Sequence, residues 1–140
     1  MSRKIELFAA VAVLSVGAAV AGAALAQSAA PAIFTAEQAA AGATVYAAQC
    51  AACHGNQLEG VAGPALKGQG FKAMATAQGL NGESLLQVVS LSMPQTDPGS
   101  LSADEYAQVV AYMLRENGYP AGNEKLSASN PHLKELDLAK

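Results

Sequence analysis

The feature that most constrains this chain is the pentapeptide Cys50-Ala51-Ala52-Cys53-His54, which has the form C-x-x-C-H. Two thiols separated by two residues can add to the two vinyl groups of one haem, and the adjacent histidine can then bind the iron. The sequence contains no other cysteines. The pattern therefore predicts one covalently attached haem c, held through Cys50 and Cys53, with His54 as an axial iron ligand.

Three other uses of the C-x-x-C pair remain as alternatives. A thioredoxin-like redox pair needs a βαβ context, and the sequence shows almost no strand signal. A zinc site needs four ligands, and only His54 and His132 are available to complete one. A disulfide between Cys50 and Cys53 would close a very small loop and add little stability.

The first 26 residues have the pattern of a secretory signal peptide. Arg3 and Lys4 form a basic region, residues 7–26 carry no charge, and residues 24–26 read Ala-Leu-Ala, which resembles a cleavage site. An uncleaved anchor is the alternative, because the apolar run is long enough to span a bilayer. Since the run is rich in alanine and glycine, we expect cleavage before Gln27, export to the periplasm and no membrane anchor.

Loss of this leader would change the formal net charge from −3 to −4, because it carries Arg3, Lys4 and Glu6. An acidic balance argues against nucleic acid and anionic membrane surfaces as partners. The remaining residues are enough for one small domain, whose modest core would gain from a cofactor at its centre.

Helical patterns dominate the rest of the chain. They cover residues 36–49, residues 71–80 weakly, residues 83–91 and residues 103–117. Two predicted capping boxes mark helix starts, one formed by Thr35 and Gln38 and the other by Ser102 and Glu105. A glycine- and proline-rich loop of about 16 residues follows the pentapeptide, and loops of this length are usually functional.

Pro64 in this loop can present its carbonyl oxygen to the Nδ1–H of His54, because haem-bound histidines need such an acceptor. A simple turn proline is the alternative. On the other face of the iron, Met93 is the favoured ligand, since it follows a short helix and precedes Pro94, which fixes the local backbone. Three further candidates are open: Met74, Met113 as part of an apolar helix face, and His132 in the tail.

Residues 36–117 resemble the class I c-type cytochromes, in particular the small bacterial monohaem type. The resemblance rests on Gly42 and Tyr46, on the C-x-x-C-H pentapeptide, on Gly63-Pro64-Ala65-Leu66, on Met93-Pro94 and on Ala111-Tyr112. It implies an all-α cytochrome c fold, with about three to five helices wrapped around one covalently bound haem. It also implies His54 and Met93 as iron ligands, and a close contact between Gly42 and the helix face that carries Val109 and Tyr112.

The sequence predicts four segments: a signal peptide over residues 1–26, a flexible lead-in over residues 27–34, a cytochrome c domain over residues 35–118, and a tail over residues 119–140 that is packed on the domain or extends from it. The chain departs from the family in having no tryptophan and a short stretch between His54 and Met93. The groups that hold the haem propionates are therefore not predicted.

The function predicted from these features is a periplasmic one-electron carrier, not an enzyme. His/Met ligation raises the reduction potential and leaves no open coordination position. We expect a monomer with a donor dehydrogenase and an acceptor oxidase or cytochrome as partners. The start of the tail resembles cytochromes that serve quinoprotein dehydrogenases. A haem-containing subunit of a dehydrogenase complex and a five-coordinate haem sensor or peroxidase are the alternatives.

Overall fold

The computed structural model describes residues 30–139, which form five α-helices and one 3₁₀ helix. The helices are α1 (Ala36–Gln49), α2 (Ala51–His54), α3 (Gly68–Gln78), α4 (Gly82–Ser92) and α5 (Ala103–Glu116), followed by the 3₁₀ helix (Pro131–Glu135). The described residues contain no strand beyond an isolated antiparallel bridge between Asn81 and Asp137. The predicted all-α fold is confirmed.

The predicted signal peptide, residues 1–26, and the first part of the predicted lead-in lie outside the described residues. Within residues 30–139, no helix combines the length and the apolar character needed to cross a membrane. Ile33 and Phe34, at the end of the lead-in, are fully buried. This end therefore belongs to the hydrophobic core and differs from the flexible segment that the sequence predicted.

Helices α1 and α5 are in direct contact at Gly42. A methyl group at Gly42 would overlap the backbone carbonyl of Gln108 and lie 3.0 Å from the backbone nitrogen of Val109. The rings of Tyr46 and Tyr112 extend the contact, with centroids 5.3 Å apart and ring planes inclined by 51°. Tilted aromatic pairs at this distance are favourable. Gly42 thus makes the close approach that the resemblance implied.

Side-chain caps define where α1 and α5 begin. Ser102 and Glu105 form the predicted capping box: the Glu105 N–H donates to the Ser102 hydroxyl at 3.2 Å, and the Ser102 N–H donates to the Glu105 carboxylate at 2.8 Å. This backbone hydrogen bond lowers the pKa of the Glu105 carboxyl. At α1, the Gln38 N–H donates to the Thr35 hydroxyl at 3.1 Å. The side chain of Gln38, however, does not return to Thr35.

The Gln38 amide binds the distant backbone of Leu126 instead. Its Nε2 donates to the Leu126 carbonyl at 2.9 Å, and its Oε1 accepts from the Leu126 N–H at 2.7 Å. One backbone residue offers both a donor and an acceptor, so an amide side chain can pair with both groups at once. The capping box predicted at Thr35 is therefore wrong in its second half, because Gln38 joins α1 to the C-terminal part of the chain.

We expect Gln38→Leu to lower the free energy of unfolding by about 2 kcal/mol, because two hydrogen bonds are lost and the Leu126 backbone loses its partner. Urea unfolding of the haem-loaded protein, followed by circular dichroism, measures this change. Gln87→Leu replaces an exposed glutamine on α4 and should change the free energy by less than about 0.5 kcal/mol. Equal effects of the two substitutions would show that the pair with Leu126 does not stabilise the fold.

Two helices begin differently from the sequence prediction. α3 covers Gly68–Gln78, whereas the sequence indicated one or two turns within residues 71–80. Only Phe71 and Ala75 of α3 are buried, so its apolar period is weak. α4 begins with a capping box in which the Ser84 N–H donates to Asn81 Oδ1 and the Asn81 N–H donates to Ser84 Oγ, both at 2.9 Å. The sequence pattern had indicated a start at residue 83, one residue later than the structure shows.

The C-terminal tail, residues 119–139, folds back over the helices. Its buried leucines are Leu126, Leu133, Leu136 and Leu138. The Gly122 N–H donates to the Phe34 carbonyl at 2.7 Å, and the Gly82 N–H donates to the Leu136 carbonyl at 3.0 Å. The tail is thus part of the hydrophobic core and contacts both the segment before α1 and the start of α4.

Candidate haem site

A cavity of about 380 Å³ brings the predicted site residues together. Cys50, Cys53, His54, Pro64 and Met93 all line it. Most of the remaining wall is apolar, and α3, α4, α5 and the loops around them contribute to it. No Asp, Glu, Lys or Arg side chain is among the described residues that line the cavity.

Helices α1 and α2 present the two thiols. Cys50 joins these helices, because its N–H donates to the Tyr46 carbonyl at 2.8 Å and its carbonyl accepts from the His54 N–H at 3.0 Å. Cys50 is half-buried and Cys53 is exposed, and both are free thiols. Burial raises the pKa of the Cys50 thiol, which keeps that thiol in its neutral form at neutral pH.

The imidazole of His54 is fixed by a backbone carbonyl. Its Nδ1 lies 2.8 Å from the Pro64 oxygen, and the residue is buried. A carbonyl can only accept, so Nδ1 carries the proton and Nε2 keeps its lone pair. Pro64 therefore supplies the acceptor where the sequence predicted one, and Nε2 remains able to bind a metal ion.

Backbone hydrogen bonds fold the loop after His54 back onto α2. The Cys53 carbonyl accepts from the N–H groups of Gly63 at 2.8 Å and Val61 at 3.2 Å, and the His54 carbonyl accepts from Gly60 at 2.8 Å. Gly63 consequently lies against the imidazole. A Cβ atom at this position would be 2.8 Å from Cε1 and 2.9 Å from Nδ1 of His54. Glycine is thus required for the ring to occupy its position.

Asn117 attaches the far end of this loop to α5. Its Nδ2 donates to the carbonyls of Leu66 at 2.9 Å and Met113 at 2.8 Å, and its Oδ1 accepts from the Gly68 N–H at 3.0 Å. One amide therefore positions the end of the loop and the start of α3 against the C-terminal end of α5.

Met93 differs from the other cavity methionines in how its backbone is held. It directly follows α4, its N–H donates to the Val89 carbonyl at 3.1 Å, and its carbonyl accepts from the Tyr106 hydroxyl at 2.7 Å. Met74 is half-buried within α3, and Met113 is buried within α5. All three methionines line the cavity, and Met93 is the one of them that lies in a loop.

His132 lies away from this cavity. It is exposed, and its Nδ1 is 3.0 Å from the Glu135 carboxylate. Within residues 30–139, no group of three or more His, Cys, Asp or Glu side chains is arranged to hold a metal ion. The zinc alternative therefore has no ligand set in the described part of the chain.

Comparison with known proteins supplies the family. The family model described as cytochrome c oxidase, cbb3-type, subunit III matches residues 37–113, which is more than half of the chain. The chain is a c-type cytochrome of this family. Its cytochrome c domain binds haem and transfers electrons. No curated protein gave a significant match to the sequence.

One solved structure similar to this cytochrome is the crystal structure of the sulfane dehydrogenase SoxCD from Paracoccus pantotrophus. The sequence identity is 24% and the TM-score is 0.53. The similarity covers 72% of this chain and 54% of that chain, so the cytochrome spans about half the length of the chain it matches. At this level of identity the match supports the fold.

The residues of the cavity fit a haem in three respects. The wall is predominantly apolar, as a porphyrin face requires. Two free thiols lie in it at the C-x-x-C spacing, and a buried imidazole offers Nε2. The absence of a side chain at Gly63 leaves the space in which that imidazole sits.

The polar side chains of the cavity wall, histidine and cysteines apart, are Gln49, Gln78, Gln95 and Thr96. All four are uncharged, and each can donate a hydrogen bond. These side chains could therefore donate hydrogen bonds to the propionate carboxylates of a haem. The sequence did not predict this group of residues.

Sequence reasoning also missed the parts played by three polar side chains. The Tyr46 hydroxyl donates to the Gly55 carbonyl at 2.6 Å, immediately after α2, and burial raises the pKa of Tyr46 to about 12. The sequence prediction gave Tyr106 no role beyond its place in the helical pattern over residues 103–117, whereas its hydroxyl donates to the Met93 carbonyl. Asn117 was assigned only to the end of the last helix, and its contacts with the loop are too distant in sequence to be predicted.

Proposed function

We propose that this cytochrome is a periplasmic one-electron carrier whose haem is attached covalently through Cys50 and Cys53 and ligated by His54 and Met93. The observation that carries the proposal is the single cavity wall shared by these four residues. We further propose a signal peptide over residues 1–26, a cytochrome domain over residues 35–118 and a tail over residues 119–140.

Each residue has a defined part in holding the group. Cys50 and Cys53 supply thioether sulfurs, and Pro64 keeps the proton of His54 on Nδ1 so that Nε2 can bind iron. Met93 would supply a neutral thioether as a further ligand to the iron. A haem bound in this way supplies a one-electron couple without an open coordination position.

The proposed partners are an electron donor and an electron acceptor protein, and we expect the carrier to act as a monomer. Electron-transfer partners bind through small, transient interfaces. The cavity wall carries no charged side chain, and Val88, which lines it, is partly exposed on α4. Such a surface suits brief contacts and offers no electrostatic attraction for nucleic acid. We propose a dehydrogenase of the quinoprotein type as the donor and an oxidase or another cytochrome as the acceptor.

A haem-containing subunit of a dehydrogenase complex is the second candidate. It is favoured by the similarity in fold to a chain of the sulfane dehydrogenase SoxCD. Purification of the protein at native expression levels distinguishes the two functions. A carrier is expected to elute alone at the size of one chain, whereas a subunit elutes together with its dehydrogenase.

The ligand assignment is tested with the oxidised, haem-loaded protein. We expect Met93→Ala to abolish the methionine–iron charge-transfer absorption band, because the thioether is the group that gives rise to it. Met74→Ala removes another cavity methionine and should leave the band in place. A band that persists in Met93→Ala would refute the assignment, and absence of the band from the unmodified protein would favour a five-coordinate sensor or peroxidase.

The mass of the intact exported protein tests attachment and processing together. We expect one covalent haem on a chain that begins at Gln27. A mass equal to that of the polypeptide alone would contradict covalent attachment, and a mass that includes residues 1–26 would contradict cleavage.

A further inference from the structure

The first turn of α4 lies directly against the C-terminal tail. The Gly82 N–H donates to the Leu136 carbonyl at 3.0 Å. A Cβ atom at Gly82 would be 2.8 Å from the Leu133 oxygen and 3.3 Å from Leu136 Cβ. One residue earlier, Asn81 pairs with Asp137 in the antiparallel bridge. The backbone of the helix therefore contacts the tail without an intervening side chain.

The tail is anchored on its other side to α1 and to the lead-in. Leu126 pairs with the Gln38 amide, and Gly122 donates to Phe34. The side chains of Leu126 and Leu133 are each only 2% exposed. The tail consequently joins the start of α4 to the start of α1.

The opposite end of α4 leads to Met93. The helix has 11 residues, which corresponds to a length of about 16 Å. Met93, which directly follows the helix, is held to α5 by the hydrogen bond from the Tyr106 hydroxyl to the Met93 carbonyl at 2.7 Å. A hydrogen-bonded helix of this length moves as a unit, so a displacement at Gly82 is transmitted to the segment that carries Met93.

We propose that the tail is a positioning element for the Met93 thioether and limits its replacement by external ligands. The inference rests on the proposed function, in which Met93 binds the iron. The family match ends at residue 113, so the tail is an element of this chain outside the matched region. When the tail is loosened, the first turn of α4 loses its support, and the fraction of molecules with Met93 detached rises. An external ligand then binds more tightly in proportion to that fraction.

The test uses the oxidised, haem-loaded, full-length protein and imidazole as the external ligand, titrated by absorption spectroscopy. Leu133→Ala removes a tail leucine that contacts α4, and Leu126→Ala removes an equally buried tail leucine whose backbone contacts α1. We expect the imidazole affinity of the Leu133→Ala variant to be about tenfold higher than that of the Leu126→Ala variant. Urea unfolding of both variants measures their loss of global stability, so that the affinities can be compared at equal stability.

Gly82→Ala provides an independent variant that does not delete core volume. Alanine favours a helix more than glycine does, so the substitution by itself should stabilise α4. If the tail has no influence on Met93, the imidazole affinity should therefore be unchanged or lower. We expect a several-fold higher affinity instead, because the new methyl group displaces Leu133. Tyr106→Phe loosens the Met93 end of α4 directly and should also raise the affinity.

The two levels of the proposal fail in different ways. If Met93 is not a ligand, Met93→Ala leaves the imidazole affinity unchanged, and the proposed function is overturned. If Met93→Ala and Tyr106→Phe raise the imidazole affinity, Met93 remains the ligand. The tail is tested by the other variants, and it has no influence if the affinity of Leu133→Ala equals that of Leu126→Ala and the affinity of Gly82→Ala equals that of the unmodified protein. The positioning role of the tail is then refuted.

Discussion

Gly42→Ala is expected to lower the free energy of unfolding by about 3 kcal/mol, even though alanine is the better helix former. The added methyl group would overlap the Gln108 carbonyl, which belongs to the backbone of α5. If the overlapping group were a side chain, it could rotate away from the new methyl group. Because it is the backbone of a helix, α1 and α5 have to separate instead. Urea unfolding of the haem-loaded protein, followed by circular dichroism, measures the loss.

Gly79→Ala is the matched control, because it adds the same methyl group where no atom lies within 4 Å. Gly79 ends α3 with a φ of 60°, and a left-handed backbone should cost alanine about 1 kcal/mol. A loss at Gly42 no larger than the loss at Gly79 would show that the two helices have room for a side chain at their contact.

Gly63→Ala should weaken the proposed bond between His54 and the haem iron by about 10- to 100-fold, the range typical of changes behind a metal ligand. The new Cβ atom would lie 2.8 Å from Cε1 and 3.2 Å from Nε2 of His54, so the ring has to leave its position or lose its bond to Pro64. We expect the oxidised protein to lose most of its low-spin absorption spectrum. Added imidazole should restore that spectrum by replacing the displaced side chain.

The control for this change is Gly70→Ala, which places a methyl group 3.0 Å from the Ala65 methyl on an exposed part of α3. Its spectrum should match that of the unmodified protein. A normal spectrum for Gly63→Ala as well would mean that the imidazole tolerates a side chain behind it.

The sequence was informative wherever the determining residues are close together in the chain. The spacing of Cys50, Cys53 and His54 indicated the cofactor, and Ser102 with Glu105 located the start of α5. Pro64 is only ten residues from His54, and the sequence predicted its carbonyl as the acceptor for the imidazole. In the structure the Pro64 oxygen lies 2.8 Å from His54 Nδ1. Local hydrogen bonds and helix periodicity are encoded within a few residues, so a single sequence can reveal them.

Features that depend on distant pairs were not predictable in this way. Gln38 satisfies the rules for a capping box, but Leu126, 88 residues later, offers its amide two partners instead of one. α3 buries only Phe71 and Ala75, so its periodicity was too weak to define the helix. The hydroxyl of Tyr106 supports Met93 through a contact that no local pattern contains. Tertiary pairing of this kind overrides local preference and is visible only in the folded chain.

The pairing of Phe34 with Gly122 and of Gln38 with Leu126 also sets an order of events during synthesis. Neither pair can form until Gly122 and Leu126 have been made, because contacts between distant residues have to wait for both partners. Cys50 and Cys53 therefore emerge long before the residues that complete the core around Ile33 and Phe34. The two thiols are therefore accessible in the emerging chain before Gly122 and Leu126 can pack against Phe34 and Gln38.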